Sequence, residues 1–250
     1  MPMWELIDGF TQAAQNCEEL AQLQSLMCAT TKELGFRNFA LLDHLSIHPN
    51  SSGYIRIDNY PQEWVQELLL KSVAGDDPVH LASRRSNCGF RWSELGSLIR
   101  LEHRHKKILA RSKYYGIGDG FTVPANVPGE PSASCSFALP ARAELPLSRL
   151  HCAELIGAHA LRAARRLRPV PPRPQCPQLS RRELQCLRLV VLGKTDREIA
   201  TALGFSTETA HYYVKRARAA YGSVSRAQLV AHCLRDEWII LEETIPQMGE

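Results

Sequence analysis

The chain has 250 residues, 44% of them hydrophobic and 22% charged, with 30 Lys and Arg against 26 Asp and Glu. That length holds one large domain or two smaller ones, and the composition excludes a disordered, fibrous or repeat protein; without an apolar run of about 18 residues, no membrane span is expected. The charge is unevenly placed: residues 1–164 carry 16 basic and 17 acidic side chains, residues 165–235 carry 14 and four, and the last fifteen carry five acids and no base.

In chain order, helical periodicity appears at 4–15 and at 18–34, where Gly35 stops it. The opening segment has acids where a secretory signal would need lysines and lacks an apolar stretch, so a cytoplasmic chain is expected. Strand-like runs follow at 36–45 and 53–60, then helices at 61–73 and 98–115, the second stopped by Gly116. Strands at 120–125 and 132–139 precede a helix at 148–167. Helices flanking one antiparallel sheet make an α+β fold, here an N-terminal α-β-α sandwich able to house a small-molecule pocket. The eight cysteines form no CxxC pair. Several fall at apolar-periodic helix positions, which favours buried free thiols over zinc or disulfides.

Five prolines lie between Pro169 and Pro177. Proline lacks the backbone donor and keeps its predecessor extended, so neither helix nor central strand crosses here. The stretch coincides with the charge boundary. The expected organisation is a ligand-binding domain at 1–166, a Pro-rich linker at 167–178 and a small all-α four-helix domain at 179–250.

In that small domain Ser180/Glu183, Thr195/Glu198 and Ser225/Gln228 each match the S/T-x-x-E/Q capping box, and Ser206 is a further N-cap. Four helices are predicted at 181–192, 196–203, 207–220 and 226–236. "LGFS" joins the second and third, with Gly204 just past a helix end; two short helices across a tight turn form a helix-turn-helix. On the third helix Ala210, Tyr213, Val214, Ala217 and Tyr221 share a face that would meet the core. His211, Lys215, Arg216 and Arg218 lie outward. Alone, that basic face reads equally as a solvated surface. With the turn, the caps and the excess of ten positive charges, it reads as a contact for double-stranded DNA. Lys215 and His211 suit base edges; Lys194, Arg216, Arg218 and Arg226 suit phosphates.

The run from Leu179 to Gly222 resembles the helix-turn-helix of LuxR-type transcription factors, through Glu183, Leu187, Gly193-Lys194-Thr195, Glu198-Ile199-Ala200, Leu203 and Ser206. It departs at Ala210 and Tyr213. The resemblance implies DNA contacts from Lys194, Thr195, Ser206, Thr207, His211, Lys215, Arg216 and Arg218. It also implies a homodimer on a partly palindromic site, with RNA polymerase as a partner. His211 is an unusual occupant of a base-contacting position.

Residues 1–60 lack the paired acids of a phosphorylated receiver. Instead "NYPQEWVQELLLKSVAGDDPVH" (59–80), "RW" (91–92) and "YGIGDGFTVP" (115–124) resemble the autoinducer-binding domain of LuxR-type quorum-sensing receptors. The resemblance implies a pocket for an acyl-homoserine lactone, a small-molecule autoinducer rather than a cofactor. Tyr60 would meet the acyl carbonyl, Trp64 the lactone carbonyl and Asp77 the amide N–H. Trp92 would cover the lactone ring, with Leu68, Pro78 and Gly120 in the wall and Ser134 or Ser136 at the acyl chain. Each has a plainer reading: Trp64 and Trp92 as core aromatics, Asp77 as a helix cap before Pro78, Tyr60 as an edge-strand residue. Leu68 and Val73 stand where the family usually has aromatic rings, so a bulkier or non-lactone ligand, or a regulator acting without ligand, is the alternative.

An enzyme is not expected. "EHRHKK" (102–107) puts two histidines two apart, poor metal spacing on a helix, and reads as a solvated basic segment. "GIGDG" is too short for a dinucleotide fingerprint and reads as a helix stop before a strand. No nucleophile and base pair stands out, and no metal site is expected.

Overall fold

The computed structural model describes residues 3–44, 55–70, 73–127, 132–168 and 178–235. The chain divides into two units, Met1–Val170 and Pro171–Glu250. The Pro-rich stretch at 169–177 lies outside the described residues, as does position 236 of the last predicted helix.

The first unit opens with α1 (Met3–Asn16) and α2 (Leu20–Glu33), which ends where Gly35 adopts φ +85°. Strands β1 (Asn38–Asp43) and β2 (Arg56–Asp58) follow, then α3 (Gln62–Leu70), a 3-10 turn at Val73–Asp76 and α4 (Pro78–Ser83). After them come β3 (Phe90–Arg91), α5 (Leu95–Leu98), α6 (His103–Tyr114), β4 (Gly120–Ala125), β5 (Ala133–Ala138) and α7 (Leu150–Leu167).

The strands form one antiparallel sheet in the order β2-β1-β5-β4-β3. Because side chains alternate along a strand, register assigns each residue to a face. Phe39, Leu41, Ile57, Phe121, Val123, Cys135 and Phe137 point to one face and build the main core with α1, α2 and α7. Ala40, Leu42, Thr122, Ser134 and Ser136 point to the other, toward α3, α4 and α6. This is the α-β-α sandwich expected from the sequence.

Two predicted helices differ from those observed. The run 98–115 is interrupted: Ile99 is extended, Ile99 and Leu101 pack into a small cluster with Val79, Ala82, Phe90 and Leu95, and helix resumes at His103. Of the helix predicted at 61–73, Gln62–Leu70 is helical, positions 71 and 72 lie outside the described residues, and Val73 already belongs to the 3-10 turn. The "EHRHKK" segment is not simply solvated either. His105 is buried, and its Nδ1 accepts the Glu102 amide at 3.1 Å, so it caps α6. Its neighbours His103, Arg104, Lys106 and Lys107 are exposed. No helix among the described residues is long and apolar enough to cross a membrane.

The second unit is all helix: α8 (Arg181–Val191), α9 (Asp196–Leu203), α10 (Thr207–Ala220) and α11 (Arg226–Arg235). Reciprocal capping boxes form at Ser180/Glu183 and Thr195/Glu198, and Ser206 caps α10 through the Thr209 amide. The third expected box is only half formed. Ser225 Oγ accepts the Gln228 amide at 3.1 Å, but the Gln228 side chain takes the Val224 amide instead. Gly204 closes α9 at φ +69°, a conformation that strains any side-chain-bearing residue. Cys186, Leu187, Ile199, Ala200, Ala210, Val214, Ala217 and Leu229 fill a separate core.

Candidate functional site

The inner face of the sheet has ordered rows. Thr122, Ser136, Ala40 and Asp58 stand side by side in register across β4, β5, β1 and β2; Ser134, Leu42 and Arg56 form the next row. A cavity of about 70 Å³ opens over these rows, lined among others by Ala40, Leu42, Tyr60, Trp64, Leu68, Asp77, Val79, His80, Trp92, Ile108 and Ser136. Tyr60, Trp64 and Leu68, four residues apart at the mouth and along α3, all reach it, as helical spacing requires. Pro61 fixes the entry, its carbonyl accepting the Trp64 amide at 3.1 Å.

Asp77 is 9% exposed and is a helix cap, one of its two sequence readings. Oδ1 accepts the Val79 amide at 2.8 Å, capping α4, while the residue also lines the cavity. Oδ2 lies 4.0 Å from His80 Nδ1. Burial first, then the nearby Asp77 and Asp58 carboxylates, pushes the Tyr60 phenol far above its ordinary range. Tyr60 is therefore a neutral O–H, able to donate to a carbonyl.

Trp92 is anchored from two sides. Its indole N–H donates to Thr122 Oγ1 at 2.9 Å, and Thr122 shares a 2.8 Å hydrogen bond with Ser136 Oγ. A Cβ on Gly120 would fall 2.7 Å from the Trp92 ring and 2.6 Å from the Phe137 carbonyl, so only glycine lets the indole lie this close to the sheet. Gly120 thus shapes the wall through Trp92. Pro78 is the first residue of α4 and is absent from the cavity lining. Of the two serines, Ser136 lines the cavity, and Ser134 hydrogen bonds to His44 Nε2 at 3.0 Å.

Sequence reasoning missed Thr122, His44, His80, Arg56 and Asp58. The alternation of 38–43 and 56–58 places Asp58 and Arg56 on the inner face once pairing is known, and Asp77 to His80 is one helical turn. Arg56 and Asp58, paired at 3.1 Å, form a polar rim on the same wall.

In the second unit, the outward side of α10 carries Thr207, His211, Lys215 and Arg216, all exposed. They differ in their ties. His211 Nδ1 lies 2.9 Å from Asp196 Oδ2, and Arg226 meets the other oxygen of the same carboxylate at 2.6 Å. Asp196 is pulled above its ordinary pKa by burial, but the hydrogen bonds from His211 and Arg226 outweigh this and hold it below. Arg216 pairs with buried Glu183 at 2.8 Å, and Arg218 donates to the Val224 carbonyl. Lys194 sits at the start of the turn into α9, 3.5 Å from Glu198. Thr195 and Ser206 are the N-caps of α9 and α10, accepting the Glu198 and Thr209 amides.

Residues 19–167 match the family described as "Autoinducer binding domain", and residues 177–233 match "Bacterial regulatory proteins, luxR family". Among curated relatives, the transcriptional activator protein AhyR of Aeromonas hydrophila is 25% identical over 91% of this chain and 88% of its own length. The putative HTH-type transcriptional regulator y4qH of Sinorhizobium fredii is 24% identical over 74% of this chain; the chain spans 56% of that protein. Among solved structures, Escherichia coli SdiA superposes with a TM-score of 0.65 at 20% identity, covering 95% of this chain and 99% of SdiA. SdiA in complex with octanoyl-rac-glycerol gives the same score and identity over 94% and 96%.

Proposed function

From the premise that this chain belongs to the LuxR family of regulators, joining an autoinducer-binding domain to a LuxR-type DNA-binding domain, we propose that it binds an acyl-homoserine lactone and, as a homodimer, a partly palindromic DNA site. It is a transcriptional regulator and not an enzyme. The domain organisation we propose is ligand binding in 1–166, a linker at 167–178 and DNA reading in 179–250, with RNA polymerase the partner through which a bound dimer acts.

The observation that carries the ligand reading is the convergence of Tyr60, Trp64, Asp77, Trp92 and Ser136 on one mostly apolar cavity. These are the groups a head with two carbonyls and one amide N–H requires. Tyr60 donates to the acyl carbonyl, Trp64 to the lactone carbonyl, and the Asp77 carboxylate accepts the amide N–H, a charge-assisted bond. Trp92, held by Thr122 over Gly120, covers the lactone ring. Leu68 and Ser136 bound the start of the acyl chain. The cavity volume is well below the ~300 Å³ of an ordinary small-molecule site. Ligand entry therefore displaces wall side chains, and the liganded fold buries more apolar surface than the empty one.

A second reading, a ligand with a different polar head on an acyl chain, is favoured by the Arg56–Asp58 rim, which offers donors and acceptors beyond those a lactone uses. The octanoyl-rac-glycerol bound to SdiA is a head of that kind.

Thermal unfolding of the full chain with graded acyl-homoserine lactones tests the first reading. Stabilisation should grow with ligand concentration, reaching about 2.7 kcal/mol at a hundred times Kd. No rise with any lactone overturns it, and a rise with octanoylglycerol alone transfers the site to the second reading.

A further inference from the structure

His211 stands on the outward side of α10 with 67% of its side chain exposed, and α9 decides how its ring is presented. Nδ1 lies 2.9 Å from Asp196 Oδ2, while Arg226 of α11 holds Oδ1 at 2.6 Å and also donates to the Lys194 carbonyl. Asp196, held below its ordinary pKa although burial raises it, is ionised near pH 7. An ionised carboxylate only accepts, so Nδ1 must carry the proton that it shares with Asp196. A neutral imidazole has one N–H. Nε2, across the ring from Nδ1, is therefore left as a lone-pair acceptor.

That tautomer limits what His211 can meet on DNA. Phosphate oxygens only accept, so an acceptor nitrogen gains no hydrogen bond from the backbone. Along the major groove the base-edge donors are the N6 amino group of adenine and the N4 amino group of cytosine. Guanine and thymine present only acceptors there, thymine adding its methyl. Lys215, one turn along the same face, is the opposite kind of group: a donor only, suited to guanine O6 and N7.

We propose that Asp196 fixes His211 as a hydrogen-bond acceptor, so that α10 reads the exocyclic amino group of an adenine or a cytosine at this position, against guanine or thymine. This rests on the reading of α10 as the base-reading helix. His211 is then a specificity-determining residue, and Asp196 a positioning residue that acts through it.

The test starts with the full-length protein selecting from a randomised duplex library, at fixed salt and at about pH 8, where an imidazole is ordinarily neutral, with and without octanoyl-homoserine lactone. His211→Ala should lose base preference at one position of the enriched site and keep it elsewhere, whereas a merely structural loss weakens all positions alike. Enriched duplexes are then made with purine for adenine, or 2-pyrimidinone for cytosine, at that position, which removes only the amino group. Wild type should bind these about three- to tenfold more weakly, the worth of one hydrogen bond, and His211→Ala should not distinguish them. His211→Lys, a donor, should turn the preference to guanine. Asp196→Asn, whose amide can donate to Nδ1 as well as accept from it, should shrink the penalty for the missing amino group; an undiminished penalty overturns the role of Asp196. No penalty in wild type, an equal one in His211→Ala, or a His211→Ala site identical to that of wild type overturns the reading by His211. If Lys215→Ala still changes the enriched site in those cases, α10 remains the base-reading helix and the His211 assignment alone falls; no enrichment by wild type overturns both. Were Asp196→Asn not to fold, the His211 variants and the amino-deleted duplexes decide by the same criteria.

Discussion

One oxygen of Asp77 accepts the Val79 amide at 2.8 Å while the residue lines the cavity, so on the proposed lactone reading a cap and a ligand contact share one carboxylate. Substitution separates them. Asparagine caps helices about as well as aspartate, so Asp77→Asn should leave the unliganded stability within about 0.5 kcal/mol of wild type. Its remaining oxygen is committed to Val79, however, and an NH₂ group then faces the ligand amide, donor against donor. Lactone affinity should fall by roughly 1–3 kcal/mol. Asp77→Ala should lose the ligand bond and also about 1 kcal/mol of stability through the missing cap. Urea unfolding and calorimetric titration of the two variants measure these separately; wild-type lactone affinity in Asp77→Asn would remove Asp77 from the ligand site. The cap was legible in the sequence, as an aspartate directly before Pro78. The support behind Trp92 was not, because Thr122 and Ser136 meet only through strand register across β4 and β5.

At the scale of elements, Asp196 ties three helices together. It is the first residue of α9, and it holds His211 of α10 and Arg226 of α11. His211 thus faces outward from a fixed position, as the proposed base-reading role requires. Lys215 lies one turn further along the same helix face and is exposed. Lys215→Ala should therefore weaken binding to the preferred DNA site by about 1–3 kcal/mol and leave thermal stability unchanged. Asp196→Ala should lower both, its stability loss reflecting hydrogen bonds to charged groups worth roughly 1.5–3 kcal/mol. Fluorescence anisotropy at fixed salt with thermal unfolding compares them, and unchanged DNA affinity in Lys215→Ala would make its face a solvated one. The helices of this unit were readable nearly to the residue because their ends are chemical: hydroxyl caps, a glycine stop and 3.6-residue periodicity are all local. The first unit was less so. Its short elements α4, β3 and α5 lie below the length at which periodicity shows, and the break at Ile99 serves packing against Val79 and Phe90, distant in sequence.

For the whole molecule, the separation of charge implies how ligand and DNA are coupled. In the second unit, residues 171–235 carry 11 basic and four acidic side chains, while the larger unit carries 19 and 17 and is nearly neutral. DNA affinity should thus depend on salt through the second unit alone, its logarithm falling by about 0.9 per decade of salt for each phosphate neutralised. A ligand bound under Trp92 adds no phosphate contact. It stabilises the folded first unit and, on the dimer reading, raises the concentration of the species that can bind two half-sites. Ligand should accordingly shift the whole affinity-against-salt line upward with its slope unchanged. Lys194→Ala, removing a phosphate partner at the start of α9, should instead flatten the slope by about 0.9 per protomer at any ligand concentration. Anisotropy titrations across a salt series, with and without lactone, report both. A slope that steepens on adding ligand would mean that ligand creates new phosphate contacts, and coupling through dimer concentration alone would be wrong.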